Sequence, residues 1–399
     1  MKTPLIISLF LFLGVFVILT QIGCKGEQGP AGPAGQGFTG LEGFADGIKC
    51  ATCHSSEQDT TYFLAARRYQ WSKSKHAIGG RSERNAADCA GCHTTEGFQQ
   101  RWREGWSTQK VKQVDNPSPP SCFACHSPHA RNSFSRRDTT AVTITSFITG
   151  VPDAVFDYGN GNICARCHQT RVSSPMSPKP DPTKTAATDT ITITSSRWYP
   201  HYGVNAQMLM GTGGFQFSDY TYAGNSPHTN NTFLKQEGCV KCHMAEPIGG
   251  GGGVVGGHTF WTSFESEESG TTMYNLTGCR DAACHGSSFT SFDYISQSST
   301  LTGGQGVQTY IKRYLDTLNT MLTDTNVVGK WTAGTAKPWL TASGTVNAST
   351  GSPLKIRPAS RSGVLYNFLF LEHEGSHGVH NSKYAVQLLQ SSIAELRKP

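Results

Sequence analysis

Five times along this chain two cysteines separated by two residues are followed at once by a histidine: CATCH (Cys50, Cys53, His54), CAGCH (Cys89, Cys92, His93), CFACH (Cys122, Cys125, His126), CARCH (Cys164, Cys167, His168) and CVKCH (Cys239, Cys242, His243). A sixth pair, in CRDAACH (Cys279, Cys284, His285), has four residues in the gap and the same following histidine. We number these sequences one to six in chain order. Random order at the chain's Cys and His frequencies gives about 0.02 C-x-x-C-H matches, so chance does not explain five.

Two thiols at this spacing bond to the two vinyl groups of a haem, and the adjacent imidazole turns onto the iron from one face. Zinc is the alternative, because C-x-x-C knuckles pair into Cys₄ or Cys₂His₂ sites. It gives no reason for a histidine to follow the second cysteine every time. For CRDAACH the alternative is a Cys279–Cys284 disulfide, which leaves His285 unexplained. The resulting expectation is six covalent haem c groups, five on C-x-x-C-H and one on C-x₄-C-H. If Arg280 to Ala283 loop outward, both thiols of the sixth sequence still reach the vinyls.

Composition agrees with a chain that folds around cofactors. Of 399 residues 37% are hydrophobic, with 44 Gly and 19 Pro, a loop-rich balance in which haem itself would supply much of the apolar interior. The expected fold is mainly α with long loops and little strand, organised around packed haems. Net charge is +6 without a long basic run, which gives nucleic acid no support as a partner. In the oxidised form the propionates of six haems, about −12, and the six ferric haems, about +6, would together bring the formal charge near zero.

The N-terminus reads as an export signal over residues 1–23: one Lys, an apolar run from Leu5 to Thr20, then small residues before Cys24. Gly23-Cys24 resembles the lipobox of bacterial lipoproteins, in which Cys24 becomes the lipidated first residue. Gln21 departs from the Leu preferred there, and an uncleaved membrane anchor is the alternative. Residues 24–48 carry Gly at every third place for only a few triplets, too few for a triple helix, and read as a tether. The multihaem region spans 49–300 and a helical module 301–399.

Each iron needs a decision about its second axial face. His or Met there gives an electron carrier, whereas an open face admits substrate. Of 14 His, eight lie outside the six attachment sequences: His76, His129, His201, His228, His258, His373, His377 and His380. Met208, Met210 and Met244 are more cheaply explained by packing.

In patches from Cys50 to Leu396 the chain resembles the multihaem c-type cytochromes of anaerobic, often metal-reducing bacteria, related to nitrite-reductase and tetrathionate-reductase-like cytochromes. WSKSKH is similar to that family's W-x-x-S-x-H, and CHSPH to its CHxPH. GVHNSKYAVQLL resembles G-x-HN-x-x-Y-x-x-x-LL. PHYGVNAQMLMGTGG, NSPHT and GGHTF look like segments that offer distal histidines. The resemblance implies six distal ligands, His76, His129, His201, His228, His258 and His380. His373 and His377 are left as surface residues or supports behind a ligand.

Local patterns complete the expectation. A helix runs through YFLAARRYQW toward His76. AVTITSFI and DTITITSS alternate with period two, as short strands do. GGGGGVV, from Gly249, is a loop without the flanking pattern of a phosphate cradle. VQTYIKRYLDTLNTML, VLYNFLFLEHE and KYAVQLLQSSIAELRK are helices, and His380 stands at the start of the last.

Enough histidines exist to close every iron, and no C-x-x-C-K is present. The leading expectation is an electron-transfer cytochrome of anaerobic or extracellular respiration, not an enzyme. It would be exported and lipid-anchored to the periplasmic face or cell surface, with other redox proteins or an extracellular acceptor as partners. The alternatives are a multihaem reductase with one open-face haem acting on a nitrogen or sulfur oxyanion, and a subunit of a conductive filament.

Overall fold

Apolar residues at Val307, Ile311, Leu315, Leu318 and Leu322 form one stripe at helical spacing. In the computed structural model all five are buried along the helix Val307–Thr323. The structure describes residues 59, 62–78, 83–106, 110–131, 134–171, 176–249, 253–266, 269–295 and 299–399. Two more long helices follow. Ser362–Glu374 is buried continuously from Ser362 to Leu371, as a helix is only at the centre of a core. Ser382–Arg397 buries Val386, Leu389, Ile393 and Leu396.

These three helices pack on one another, and each fully buried aliphatic or aromatic side chain in them contributes ~1.5–3 kcal/mol. The same core takes in Phe147, Trp198, Met208 and Phe215 from the middle of the chain. Buried Asn367 is satisfied there: its Oδ1 accepts the Phe215 amide at 2.7 Å, and its Nδ2 donates to the Phe215 carbonyl at 2.9 Å and to Ser392 Oγ at 3.1 Å. Gly363 is needed for that approach, since a Cβ would lie 2.2 Å from the Phe215 ring.

The strands are short and pair antiparallel: β1 (Val142–Ile144) with β2 (Ala154–Phe156), β3 (Ile191–Ile193) with β6 (Leu354–Ile356), and β4 (Ser263–Glu265) with β5 (Thr272–Tyr274). β1, β3 and β6 each alternate buried, exposed, buried, the period-two pattern of AVTITSFI and DTITITSS. Pairing of β3 with β6 ties the middle of the chain to the C-terminal helices.

Before residue 300 regular structure shrinks to short helices between loops. The YFLAARRYQW helix runs Leu64–Ser72, breaks, and restarts as Lys75–Ile78, the turn that carries His76. Four attachment sequences each contain a single helical turn: Ala90–His93, Cys122–Cys125, Asn162–Ala165 and Val240–His243. The protein is thus mainly helix and loop with little strand.

The chain divides into two compact units, one of Lys49–Ser127 with Phe134–Pro399, the other of Met1–Ile48 with Pro128–Ser133. The described part of the second is the helical turn Pro128–Arg131, which carries His129. The signal and tether stretches, Cys24, the first attachment sequence (Cys50, Cys53, His54) and residues 250–252 of the Gly run lie outside the described residues. Among the described residues no helix is long and apolar enough to cross a membrane.

Candidate haem-ligating histidine pairs

In the four regular attachment sequences described, the histidine amide donates to the carbonyl of its first cysteine: His93 to Cys89 (3.2 Å), His126 to Cys122 (2.8 Å), His168 to Cys164 (2.9 Å) and His243 to Cys239 (3.0 Å). The helical turn therefore sets thiols and imidazole in a common geometry. CRDAACH reaches the same closure across its longer gap, for His285 donates to the Cys279 carbonyl at 3.0 Å. The extra residues bulge out around Asp281. Its carboxylate accepts the Ala283 amide (3.0 Å) and pairs with Lys241 (3.1 Å), and its carbonyl accepts the Cys284 and Gly286 amides (2.9 and 3.1 Å). Cys279 and Cys284 are not joined in a disulfide, nor is any of the other eight described cysteines.

Each of these five attachment histidines faces one histidine from a distant part of the chain. Ring centroids are 6.4 Å apart for His93 and His201, 6.3 Å for His126 and His258, and 6.3 Å for His168 and His76. They are 6.2 Å apart for His243 and His380 and 6.1 Å for His285 and His228. With metal–imidazole bonds of about 2.0–2.1 Å and each nitrogen roughly 1.1 Å from its own centroid, two rings sharing one ion have centroids about 6.3 Å apart. All five pairs sit at that separation. Among the described residues no group of three or more His, Cys, Asp or Glu is arranged to hold a metal by itself. Each pair thus offers two axial donors with the plane between them left to another group, which fits haem better than a tetrahedral zinc site.

The second ring nitrogen fixes the tautomer. Nδ1–H donates to a carbonyl oxygen at His126 (Ser135, 3.3 Å), His201 (Tyr202, 3.0 Å), His228 (His380, 3.4 Å) and His243 (Phe260, 3.0 Å). At His168 the acceptor is Asn205 Oδ1 (3.3 Å), and at His380 it is the Glu374 carboxylate. Nε2 then carries the free lone pair. Burial holds His126, His168, His201, His228 and His285 below the ordinary imidazole range. Burial also lowers His76, His243 and His258 to about 4. All eight are therefore neutral donors near pH 7. His380 runs the other way: burial would lower it, but Glu374 outweighs burial and raises it.

Local packing explains the residue patterns around the distal histidines. In WSKSKH, Trp71 anchors its indole on the Pro120 carbonyl (3.0 Å), and buried Ser74 accepts the Ala77 amide (3.3 Å) at the start of the turn holding His76. In GGHTF, Gly257 has φ 53°, and a Cβ there would meet Gln70 Oε1, the atom that accepts the His258 amide at 3.0 Å. In NSPHT, Ser226 Oγ accepts the His228 amide at 3.1 Å. In GVHNSKY, Asn381 caps the last helix at the Tyr384 amide (3.1 Å), and the Tyr384 hydroxyl accepts the Gly214 amide (3.0 Å). His201 holds φ 94°, a left-handed conformation that only its surroundings can maintain.

His373 sits behind His201, its ring against Tyr199 (4.6 Å) and Tyr202 (4.3 Å), and burial lowers it to about 4. His377 faces no other histidine ring among the pairs above. Met208 and Met210 are buried in the helix Asn205–Met210.

Thiols of different attachment sequences lie side by side. Cys92 adjoins Cys167, Cys164 adjoins Cys239 and Cys242 adjoins Cys279, bringing sequences two, four, five and six together. Phe260 gathers sequences three, four and five. Its ring lies 4.7 Å from His76 and 6.0 Å from His258, and its carbonyl accepts a hydrogen bond from His243 Nδ1.

Buried arginines brace these junctions, a role the sequence does not signal because it depends on burial. Arg101 donates to the Gly91 carbonyl (3.2 Å), Cys92 Sγ (3.3 Å) and the Arg166 carbonyl (3.2 Å). Arg137 donates to the carbonyls of Phe123 (2.7 Å) and His126 (3.1 Å). Arg166 pairs with Asp138 at 2.8 Å.

No family model and no curated protein matches the chain. Among solved structures it is similar to that of the outer cell wall cytochrome OcwA, at 16% identity and a TM-score of 0.46, over 83% of this chain and 50% of that one. The chain thus spans about half the length of that neighbour.

Proposed function

We propose that the protein is an electron-transfer cytochrome with six covalently attached haem c groups, each iron held between two histidines. The observation that carries this reading is the spacing of five histidine pairs at 6.1–6.4 Å, each joining an attachment histidine to a distant one. The thioether positions are Cys89, Cys92, Cys122, Cys125, Cys164, Cys167, Cys239, Cys242, Cys279 and Cys284, with Cys50 and Cys53 of the first sequence. His54 and His129 complete the count of twelve axial donors.

Bound haem would supply an iron that changes oxidation state and a conjugated ring through which electrons tunnel. The chain's own residues do the rest. Paired imidazoles would hold each iron from both sides and leave no side open to substrate, so the chain would need to rearrange little between oxidation states. Carbonyl acceptors on Nδ1 hold each ring in place. The closeness of cysteines from neighbouring sequences supports a continuous path through sequences two, four, five and six, with sequence three joining at Phe260.

We place the protein outside the cytoplasm, anchored by lipid on Cys24 and exchanging electrons with another redox protein or an extracellular acceptor in anaerobic respiration. The apolar run Leu5 to Thr20 followed by Gly23-Cys24 supports this placement.

Intact mass and pyridine haemochrome assay of protein matured with a haem-attachment system test the reading. Six haems per chain, all low-spin and inert to CO when reduced, are expected. Zinc in place of haem, or five haems, would overturn the count. A high-spin, CO-binding haem would turn the reading toward a reductase.

A further inference from the structure

The ligand rings differ in what stands behind them. At His126, His201, His228 and His243 it is a neutral backbone carbonyl, whereas His380 has the Glu374 carboxylate. Glu374 is 5% exposed, and each of its oxygens takes an N–H that can only donate. Oε1 accepts from His380 Nδ1 and from Asn205 Nδ2 (3.2 Å), and Oε2 accepts from the Ser376 amide (3.0 Å) and hydroxyl (2.7 Å). The anion satisfies all four contacts at once, with the Asn205 amide on Oε1 and the Ser376 backbone amide on Oε2 able only to donate.

Asn205 extends the network to a second ligand. Its Nδ2 faces two acceptors, Glu374 Oε1 and the Glu374 carbonyl (2.9 Å). The amide is thereby oriented with Oδ1 toward His168 Nδ1 at 3.3 Å. A continuous run His168–Asn205–Glu374–His380 therefore connects the back of an attachment histidine of sequence four to the distal histidine of sequence five.

We infer that Glu374 is a redox-tuning residue: its buried charge draws the His380 Nδ1 proton, makes that imidazole a stronger donor, and lowers the potential of the site formed by His243 and His380. The inference rests on the haem reading above. A carboxylate behind a ligating imidazole raises its basicity, and a more basic ligand together with a nearby fixed anion favours the ferric state. Through Asn205 a weaker influence reaches His168, so sites four and five are tuned as a coupled pair.

Glu374→Gln keeps the shape and removes the charge. In the full-length holoprotein, potentiometric titration should show one midpoint displaced strongly upward, a second displaced slightly, and the others unchanged, while one low-spin ferric EPR signal changes its g values. Ser376→Ala removes a donor from the carboxylate, concentrates its charge toward His380, and should displace the same midpoint downward. Opposite signs separate tuning from general loosening of the site, which would move both variants the same way. If Glu374→Gln retains all its haems by mass and no midpoint moves, the inference is overturned and the haem reading stands. If the wild-type protein carries no haem, that reading falls instead.

Discussion

His76 and His168 meet almost edge to face, their ring planes 82° apart at a centroid separation of 6.3 Å, whereas His243 and His380 are inclined by 41°. When two axial imidazoles are near perpendicular each donates π density to a different iron d orbital, and the two orbitals stay nearly degenerate. When the planes approach one another the donation falls on one orbital and splits the pair. The oxidised protein should therefore give two classes of low-spin EPR signal. The pairs His168/His76 and His285/His228, the latter at 70°, belong to the more anisotropic class. His126/His258 at 39° and His243/His380 belong to the other. A single uniform class of signal would contradict this assignment.

CRDAACH makes the same amide-to-carbonyl closure as the regular sequences, and its extra residues are held by Asp281. The double variant Cys279→Ser/Cys284→Ser should lose one haem by intact mass, leaving the others attached. Asp281→Ala should keep the thiols but release the loop and the Lys241 contact, giving a mixture of six-haem and five-haem protein. A double variant that still carries the wild-type number of haems would exclude sequence six as an attachment site.

Much of the fold was readable because its signals are local. The stripe Val307, Ile311, Leu315, Leu318 and Leu322 is buried along one helix, and the alternation of VTI and ITI gives β1 and β3. The attachment sequences are local signals as well, and their spacing is what the proposed haem reading starts from. Which histidine faces which was not readable, because the partners are set by tertiary packing: His126 meets His258, and His243 meets His380. Glu374 and Asn205 gave no signal at all. An acidic residue in a helical segment is ordinarily a solvated one, and only its burial beside His380 makes it notable. The pairing of β3 with β6 is likewise a long-range contact that neither strand's own residues announce.

On the proposed haem reading, removing a distal ring should open one iron face without removing the haem, because the attachment cysteines and histidine would be untouched. His76→Ala is the most direct case, since His76 sits on a short turn anchored independently by Trp71 and Ser74. The reduced variant should bind one CO per chain and show one high-spin ferric signal, with the haem count unchanged. Lack of any CO binding in a variant with all its haems would mean that a residue other than His76 fills that position in the wild type.

The Arg166–Asp138 pair lies at 2.8 Å with both side chains less than 10% exposed, and Arg166 is itself a residue of the fourth attachment sequence. Asp138→Asn leaves the guanidinium buried without its counter-charge, which should cost about 3–5 kcal/mol of stability, read as a fall in the denaturation midpoint. Burial alone would raise the Asp138 pKa, but the Thr140 hydrogen bonds and Arg166 together hold it below its ordinary 3.8. A carboxylate depressed in the folded state contributes stability above its unfolded value that is lost as pH falls through the folded one. The gap between wild type and variant should therefore be constant near neutrality and close progressively below pH 3.8. A gap that persisted unchanged into strong acid would show that the asparagine acts by a packing defect and not by loss of the charge.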